Sequence, residues 1–145
     1  MINEFLNLKG FLEITLQKSN GETFTTTVPN LIVTTGKIYV AERVLTGVFA
    51  PISHMAVGTN NTAPAVGNSI LNTELSRVAL TQSSRTDNAL TFNATFGPGV
   101  GTGVLVEAGL FNANSAGTML CRTIFPSITK NADDILTINW SVVVV

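Results

Sequence analysis

Apolar and polar residues alternate in the first regular stretch of the chain, Phe11 to Lys18. This two-residue period is that of a half-buried β-strand. A turn sequence, Ser19 to Gly21, follows it, and the segment Glu22 to Val33 resumes a threonine-rich strand pattern. The pattern therefore predicts an antiparallel hairpin.

The turn sets the register of this hairpin. A three-residue loop with Gly21 in the left-handed conformation places Leu16 opposite Phe24. A two-residue Asn-Gly loop would instead pair Leu16 with Thr25, and the two faces would then match less well. We therefore predict the three-residue loop.

Helical spacing follows in the segment Gly36 to Thr46. Thr34 or Thr35 is placed to cap the first turn, and Gly47 is placed to end the helix. Apolar residues recur at intervals of three or four positions in and just after this segment, namely at Ile38, Ala41, Val44, Leu45 and Val48. We expect the helix to cover one open end or face of a β-structure.

The rest of the chain alternates between short strand patterns and turn signals. The candidate strands are Ser53–Gly58, Leu75–Gln82 and Leu90–Phe96 around the turn SSRTDN, Val104–Phe111 and Thr118–Phe125 around the turn NANSAG, and Ile135–Val145. About eight strands and one short helix favour an all-β fold, an antiparallel β-sandwich of jelly-roll-like type, because one helix is too few for βαβ units. We expect an N-terminal arm at residues 1–10 and a single β-sandwich domain at residues 11–145.

A long polar loop, Gly58 to Ser69, separates two of these strands. Gly, Asn and Pro recur in it every few residues, which is typical of a surface loop. As a surface loop it would present Thr59, Asn60, Asn61 and Thr62 to a partner. An ordinary connection that crosses between two sheets explains the same composition equally well.

The last strand pattern changes character at its end. Up to Ser141 one face is apolar and the other polar, but Val142 to Val145 is apolar on both faces. An exposed strand of this kind would attract another chain. We therefore expect a neighbouring subunit to bury this end by strand addition, with an oligomer interface at Trp140, Val142, Val143, Val144 and Val145.

Composition narrows the classes of function. Eight Lys and Arg against nine Asp and Glu leave a formal charge of −1, so the chain has no basic field that would favour nucleic-acid binding. No apolar run is long enough for a membrane span, and the N-terminus lacks the pattern of a secretory signal. Only 12% of the residues are charged and 45% are hydrophobic, which favours burial of surface in an assembly. We expect a protein made in a reducing cytoplasm.

Residues that could carry chemistry are scattered. His54 is the only histidine, and no acidic residue lies near it in sequence. Asp133 and Asp134 beside Asn131 suggest a weak calcium cluster, but a charged turn explains them better. Cys121 is the only cysteine, so it can form no intrachain disulfide. We expect no catalytic residue, no metal site and no cofactor, and hence no enzyme.

Glu107 interrupts an otherwise apolar strand pattern. With Asn114 and Ser115 at the tip of the predicted hairpin, Glu107 lies opposite Arg122. The sequence therefore predicts a cross-strand ion pair with a structural role, because neither a second acid nor a nucleophile is nominated nearby.

Three segments carry a family resemblance. They are NLIVTTGK at Asn30 to Lys37, HMAVGTNNTAPAVGNSILNTELSRV at His54 to Val78, and EAGLFNANSAGTMLCRTIFPSITKNADDILTINW at Glu107 to Trp140. Together they resemble a family of small bacteriophage virion proteins described as structural, head-decoration or fibre proteins. The motifs are turn and core signatures, so they indicate a lineage more than a position in the particle.

The resemblance implies a capsid decoration or cement protein that binds the assembled head as a homotrimer and contacts the major capsid protein. The alternative is a head or tail fibre or collar component whose loops face a host receptor or carbohydrate. Either would be found in the virion after synthesis in the host cytoplasm. A particle-borne hydrolase is a third class, which the scattered acids and single histidine disfavour.

Overall fold

The computed structural model describes residues 6–145, and these form two five-stranded antiparallel sheets with one helix between strands of the second. The elements in chain order are β1 (Leu8–Gln17), β2 (Thr23–Pro29), β3 (Leu31–Ile32), α1 (Thr34–Leu45), β4 (His54–Gly58), β5 (Glu74–Ala79), β6 (Gln82–Thr86), β7 (Ala89–Phe96), β8 (Gly103–Phe111), β9 (Met119–Lys130) and β10 (Ile135–Val144).

The chain passes between the two sheets several times. Sheet A has the order β2-β1-β10-β7-β6, and sheet B has the order β3-β9-β8-β4-β5. Alternate side chains of both sheets form the main core, which includes Leu12, Ile14, Phe92, Phe96, Leu105, Leu110, Leu136, Ile138 and Trp140. The prediction of a mostly β, antiparallel, sandwich-like fold is thus confirmed.

Ten strands are present in the described residues where the sequence indicated about eight. One addition arises because the segment after Gly21 divides at Pro29, which has no N–H to continue the ladder. β2 stays on the edge of sheet A, and β3 pairs with β9 in sheet B. Asn30 lies at this crossover and donates its backbone N–H to the oxygen of Gly10 at 3.1 Å.

The first hairpin has the predicted register. Leu16 lies opposite Phe24, and Gly21 has a positive φ of 91°. The loop closes because the Lys18 N–H donates to the oxygen of Glu22 at 2.8 Å. The three-residue loop is therefore confirmed.

The predicted second hairpin is wrong. β5 leaves for sheet B and pairs with β4, while SSRT, expected to be a turn, forms most of β6 and pairs with β7. The turn is shorter than predicted, and Asp87 makes it with a φ of 51°. Every residue of β6 is exposed, so this edge strand lacked the apolar alternation that sequence patterns depend on.

The helix forms where predicted but packs by its other face. Gly36 and Tyr39 are its buried residues, whereas Ile38, Val44 and Leu45 are 56%, 85% and 84% exposed. The predicted threonine cap is also absent, because the Thr35 hydroxyl donates to the oxygen of Met119 and not to the helix. The apolar face of the helix is therefore exposed to solvent, where the sequence pattern predicted it to be buried.

The N-terminal arm is shorter than expected. Met1 to Phe5 lie outside the described residues, but Leu8 to Gly10 already belong to β1. They pair with β10, with Leu8 opposite Val144 and Gly10 opposite Val142. Backbone pairing with a central strand therefore draws the last three residues of the predicted arm into the domain.

The strand-addition prediction at the C-terminal end is wrong. β10 is not an edge strand, because β1 and β7 pair with its two sides. Trp140 and Val142 are fully buried in the core, and the Trp140 Nε1–H donates to Asn30 Oδ1 at 3.0 Å. Val143 and Val144 are half-buried and Val145 is 52% exposed, but none presents a free ladder edge. Apolar residues on both faces here mark a central strand.

Candidate functional site

Glu107 and Arg122 form a buried salt bridge on β8 and β9. Arg122 Nη2 lies 2.8 Å from Glu107 Oε2, and Nε of the same guanidinium donates to that oxygen at 3.1 Å. Both side chains are 0% exposed. Both N–H donors converge on one carboxylate oxygen, and because both groups are charged these hydrogen bonds are of the strong, charge-assisted kind.

The predicted register behind this pair is wrong, although the residues meet. Glu107 lies opposite Ile124, and Arg122 lies opposite Gly109. The ladder shifts between Leu110 and Phe111, on the side of Glu107 towards the hairpin tip, which is an irregularity that sequence alternation does not reveal. The long arginine side chain spans the diagonal between neighbouring rungs.

Glu107 also binds the backbone of the long loop that joins β4 to β5. Its Oε1 accepts the N–H of Thr73 at 2.8 Å and of Asn60 at 3.4 Å, and its Oε2 accepts the N–H of Asn72 at 3.1 Å. One carboxylate therefore holds both ends of the loop against sheet B.

Arg122 extends the same network to the middle of the loop. Its Nη1 donates to the backbone oxygen of Thr62 at 3.0 Å and to Asn68 Oδ1 at 3.3 Å. Asn68 in turn accepts the N–H of Ala65 at 2.9 Å. We call Glu107, Arg122 and the loop backbone bound to them the loop anchor.

A glycine makes room for the anchor. Gly58 lies directly opposite Glu107 in the β4–β8 pairing. A Cβ at this position would stand 2.4 Å from Glu107 Oε1 and 2.3 Å from the oxygen of Thr73. Sequence reasoning did not assign Gly58 a role, although a glycine at the boundary of a strand and an Asn-rich loop is a signal of close approach.

The loop also closes a small second core on the outer face of sheet B. Leu71, 3% exposed, packs there with Val33, Ala56, Phe111 and Met119. The loop is therefore fixed by apolar burial as well as by the anchor.

The first residues of the loop face outward. Thr59, Asn61 and Thr62 are exposed and Asn60 is half-buried, and the Asn60 side-chain oxygen accepts the N–H of Thr62 at 2.9 Å. The residues predicted to contact a partner thus stand on the surface, on a backbone that the loop anchor holds in one shape. The arrangement can present polar groups for contact, and it places no nucleophile or acid–base pair among them.

Arg77 organises the turn between β8 and β9, a role that the sequence did not indicate. Its guanidinium lies 3.7 Å from the centre of the Phe111 ring and donates to the backbone oxygens of Ala113 and Ala116 at 3.0 and 2.9 Å. A salt bridge to Glu74 at 2.7 Å completes its contacts. Two arginines therefore brace two neighbouring loops of sheet B.

The remaining candidate residues serve local structure. His54 Nδ1 lies 2.8 Å from the Ser53 hydroxyl. Burial raises the pKa of the Cys121 thiol well above its usual value, which opposes formation of a reactive thiolate. Among residues 6–145, no three His, Cys, Asp or Glu side chains come close enough to hold a metal ion.

Asp134 ties the turn before β10 to the first hairpin. It accepts the N–H of Asn131 at 2.8 Å and of Ser19 at 3.3 Å, and it forms a salt bridge with Lys18 at 3.1 Å. The hydrogen bond from Asn131, followed by the contact with Lys18, lowers the pKa of this carboxyl. The predicted charged turn accounts for all of these contacts.

Lys130, at the end of β9 just before this turn, is also buried. Its Nζ donates to the oxygen of Gly97 at 2.8 Å, and burial lowers its pKa. This bond fixes Gly97, the first residue of the glycine-rich connector after β7, to the end of β9.

Comparison of the chain with protein-family models, with curated proteins and with solved structures gave no significant match. Within residues 6–145, no helix combines the length and the apolar character needed to cross a membrane.

Proposed function

We propose that this chain is a bacteriophage virion structural protein that acts as a capsid decoration, or cement, subunit. Its mechanism would be thermodynamic. A subunit that binds the assembled head, and not its separated components, stabilises the head by mass action without any reaction. The protein would be made in the host cytoplasm and would reside in the virion.

The observation that carries the proposal is the braced loop between β4 and β5. A decoration subunit needs a contact surface that is shaped before binding, because ordering a flexible loop on contact would reduce the affinity. Here the fully buried Glu107 and Arg122 hold the loop backbone, while Thr59, Asn61 and Thr62 stay exposed. The resemblance of three segments to virion proteins supplies the biological context.

The partners in this proposal are other copies of the chain, as a homotrimer, and the major capsid protein. A jelly-roll-like arrangement of the sandwich belongs to the same proposal. It is supported by the repeated passage of the chain between sheets A and B. Neither a nucleic acid nor a membrane is required.

A head or tail fibre or collar component is the second candidate. The small polar side chains of Thr59, Asn61 and Thr62 favour it, because hydroxyl and amide groups are suited to hydrogen bonding with a receptor carbohydrate. In that role the loop would face the host and not the capsid.

The copy number in purified virions separates the two candidates. We expect quantitative mass spectrometry to find this chain at a stoichiometry comparable to the major capsid protein. A handful of copies per particle would move the protein to the tail or fibres, and absence from virions would refute both.

The contact surface can be tested on the same particles. We expect the exposed-loop variant Asn61→Lys to bind heads lacking the protein more weakly than wild type, with unchanged stability. The matched control is Asn114→Lys, at an exposed turn position between β8 and β9. Equal binding by both variants would exclude this part of the loop as the contact.

A further inference from the structure

The loop between β1 and β2 contains a chemically labile pair of residues. Asparagine is among the less stable side chains of a protein, and Asn20 is the only asparagine of the chain that a glycine follows. Both Asn20 and Gly21 are exposed, and no heavy atom beyond the chain neighbours of Gly21 lies within 4 Å of the place of a Cβ there. No side chain therefore shields the Gly21 nitrogen from the asparagine before it.

Hydrogen bonds in the loop fold the Asn20 side chain over the peptide that follows it. Its Oδ1 accepts the N–H of Glu22 at 3.0 Å, which makes an Asx turn, and its Nδ2 donates to Glu22 Oε1 at 3.1 Å. Since Gly21 lies between these two residues, the turn brings the side-chain carbonyl towards the Gly21 nitrogen. The hydrogen bond to Oδ1 also polarises the carbonyl and stabilises negative charge that develops on this oxygen.

One hydrogen bond restrains the Gly21 nitrogen. Its N–H donates to the oxygen of Lys18 at 2.9 Å, inside the loop. The loop joins β1 to the edge strand β2, at the margin of sheet A. Hydrogen bonds in exposed loops open more readily than those of core strands, so this bond slows a reaction at the nitrogen without preventing it in the folded chain.

We propose that Asn20 is a site of spontaneous modification, at which the folded protein loses ammonia and acquires an aspartate or an isoaspartate. The reaction needs only this chain and water. It therefore goes beyond the proposed function and does not depend on it.

The reaction has two steps. In the first, the Gly21 nitrogen forms a bond to Asn20 Cγ and the bond from Cγ to Nδ2 breaks. The proton of the Gly21 N–H leaves with the amide group as ammonia, and a five-membered imide remains. In the second step, water opens the imide. Cleavage between Cγ and the nitrogen gives aspartate, whereas cleavage between the main-chain carbonyl carbon and the nitrogen gives isoaspartate.

The products alter a loop that fixes the first hairpin. Aspartate puts a carboxylate where Asn20 Nδ2 donated to Glu22, so the repulsion of two negative charges replaces a hydrogen bond. Isoaspartate lengthens the main chain by one carbon and so displaces the closing bond from the Lys18 N–H to the Glu22 oxygen. Lys18 and Ser19 also bind Asp134, so the tie between this hairpin and the turn before β10 would loosen.

The first test follows the mass of the peptide that contains Asn20, in protein kept folded at mildly alkaline pH. We expect this peptide to gain about 1 Da, since OH replaces an amide NH₂, and to separate into two isomers. The internal comparison is Asn114, which is exposed in the turn between β8 and β9 but precedes a serine. The matched variant Asn20→Gln keeps an amide and should stay unmodified, because its longer side chain cannot close the five-membered ring.

The second test measures the effect on the fold by urea unfolding, followed by the fluorescence of Trp140. We expect aged wild-type protein to unfold at a lower urea concentration than fresh protein, and aged Asn20→Gln to keep its midpoint. The variant Asn20→Asp carries the new charge on an unaltered main chain, so it should reproduce only part of the loss.

The outcomes separate the steps of the inference. An Asn20 peptide that keeps its mass in the folded protein would overturn it, and a gain of mass in urea alone would assign the protection to the Lys18 bond. Modification of Asn114 as fast as that of Asn20 would overturn the selection of this loop. Aged protein that is modified at Asn20 and keeps the midpoint of fresh protein would refute the loosening of the hairpin.

Discussion

Removal of one charge from the buried ion pair should destabilise the fold strongly. In Glu107→Gln the Arg122 guanidinium stays in a site of 0% exposure without its carboxylate. The loss of one partner from a buried, hydrogen-bonded pair costs about 3 to 5 kcal/mol. This is a large share of the roughly 5 to 15 kcal/mol that stabilises a typical domain.

The structure indicates a loss near the upper part of this range. Besides its two bonds to Arg122, Glu107 accepts three backbone N–H groups, from Asn60, Asn72 and Thr73. A glutamine can accept with one oxygen only, so at least one of these donors would face an amide NH₂ group. For a chain of this size the loss corresponds to a fall in Tm on the order of 10 °C or more.

Urea unfolding followed by tryptophan fluorescence measures the effect. Trp140 is the only tryptophan and is fully buried between the sheets, so its emission reports on the core. The matched control is Glu74→Gln, which breaks the more exposed salt bridge to Arg77 and should cost less than about 1 kcal/mol.

A second variant separates the effect of the unpaired charge from the effect of the lost hydrogen bonds to the loop. Glu107→Leu/Arg122→Met removes both charges and should recover part of the stability lost in Glu107→Gln, since no unpaired ion remains. Equal stability of Glu107→Gln and Glu74→Gln would refute the reasoning. A double variant less stable than Glu107→Gln would show that loop hydrogen bonds, and not the unpaired charge, dominate.

Three further predictions concern other close contacts. Gly58→Ala should lower the unfolding free energy by about 1 to 3 kcal/mol in the urea assay, whereas Gly67→Ala, with open space around it, should stay within about 0.5 kcal/mol of wild type; equal effects would contradict the anchor geometry. Gly36→Ala should lift α1 from the oxygen of Leu120 and reduce the thermal midpoint and the helical circular dichroism, and an unchanged spectrum and midpoint would show that the contact is loose. The fold lowers the pKa of Asp134, so the stability that this carboxylate contributes is present above its unfolded pKa and is lost as the pH falls through its folded pKa. The variant Asp134→Asn should therefore show a flatter dependence of unfolding free energy on pH below about pH 4. A variant that keeps the wild-type slope would refute this.

The first hairpin could be predicted in detail because its information is local. Gly21 fixes the loop type, and the alternation around Leu16 fixes the face. The segment between β5 and β7 has neither a turn glycine nor an alternation of apolar residues. Its strand β6 is exposed throughout, so polar residues that resemble a loop pair with β7 as an edge strand.

The two residues of the ion pair could be predicted from the sequence, but their role in holding the long loop could not. A charged residue in an apolar strand needs a counter-charge, and Arg122 is the basic residue that the hairpin brings within reach. The register shifts between β8 and β9 and the return of a distant loop onto Glu107 depend on tertiary contacts. No local pattern encodes that Thr73 and Asn60 meet at one carboxylate.

The helix α1 and the strand β10 show what an apolar pattern cannot predict. Apolar periodicity identifies an apolar face, but it does not say what covers that face. The residues around Val44 were assigned to the inside and lie outside, while Val142 was assigned to an interface and lies in the core. For the helix we assumed that the chain covers its own apolar face, and for β10 we assumed that a second subunit covers it; the sequence pattern decides neither.

The pairing of β1 with β10 also determines the order in which the fold can assemble. Leu8 meets Val144 and Gln17 meets Ile135, so this pairing joins segments from nearly opposite ends of the sequence. Hairpins such as β1–β2 and β8–β9 can form from neighbouring residues, but the centre of sheet A must wait for a slow, long-range encounter. Without β10, sheet A would separate into the ribbons β2-β1 and β7-β6, and a two-stranded ribbon is marginal in water. Truncation within β10 should therefore leave a collapsed chain exposed to aggregation.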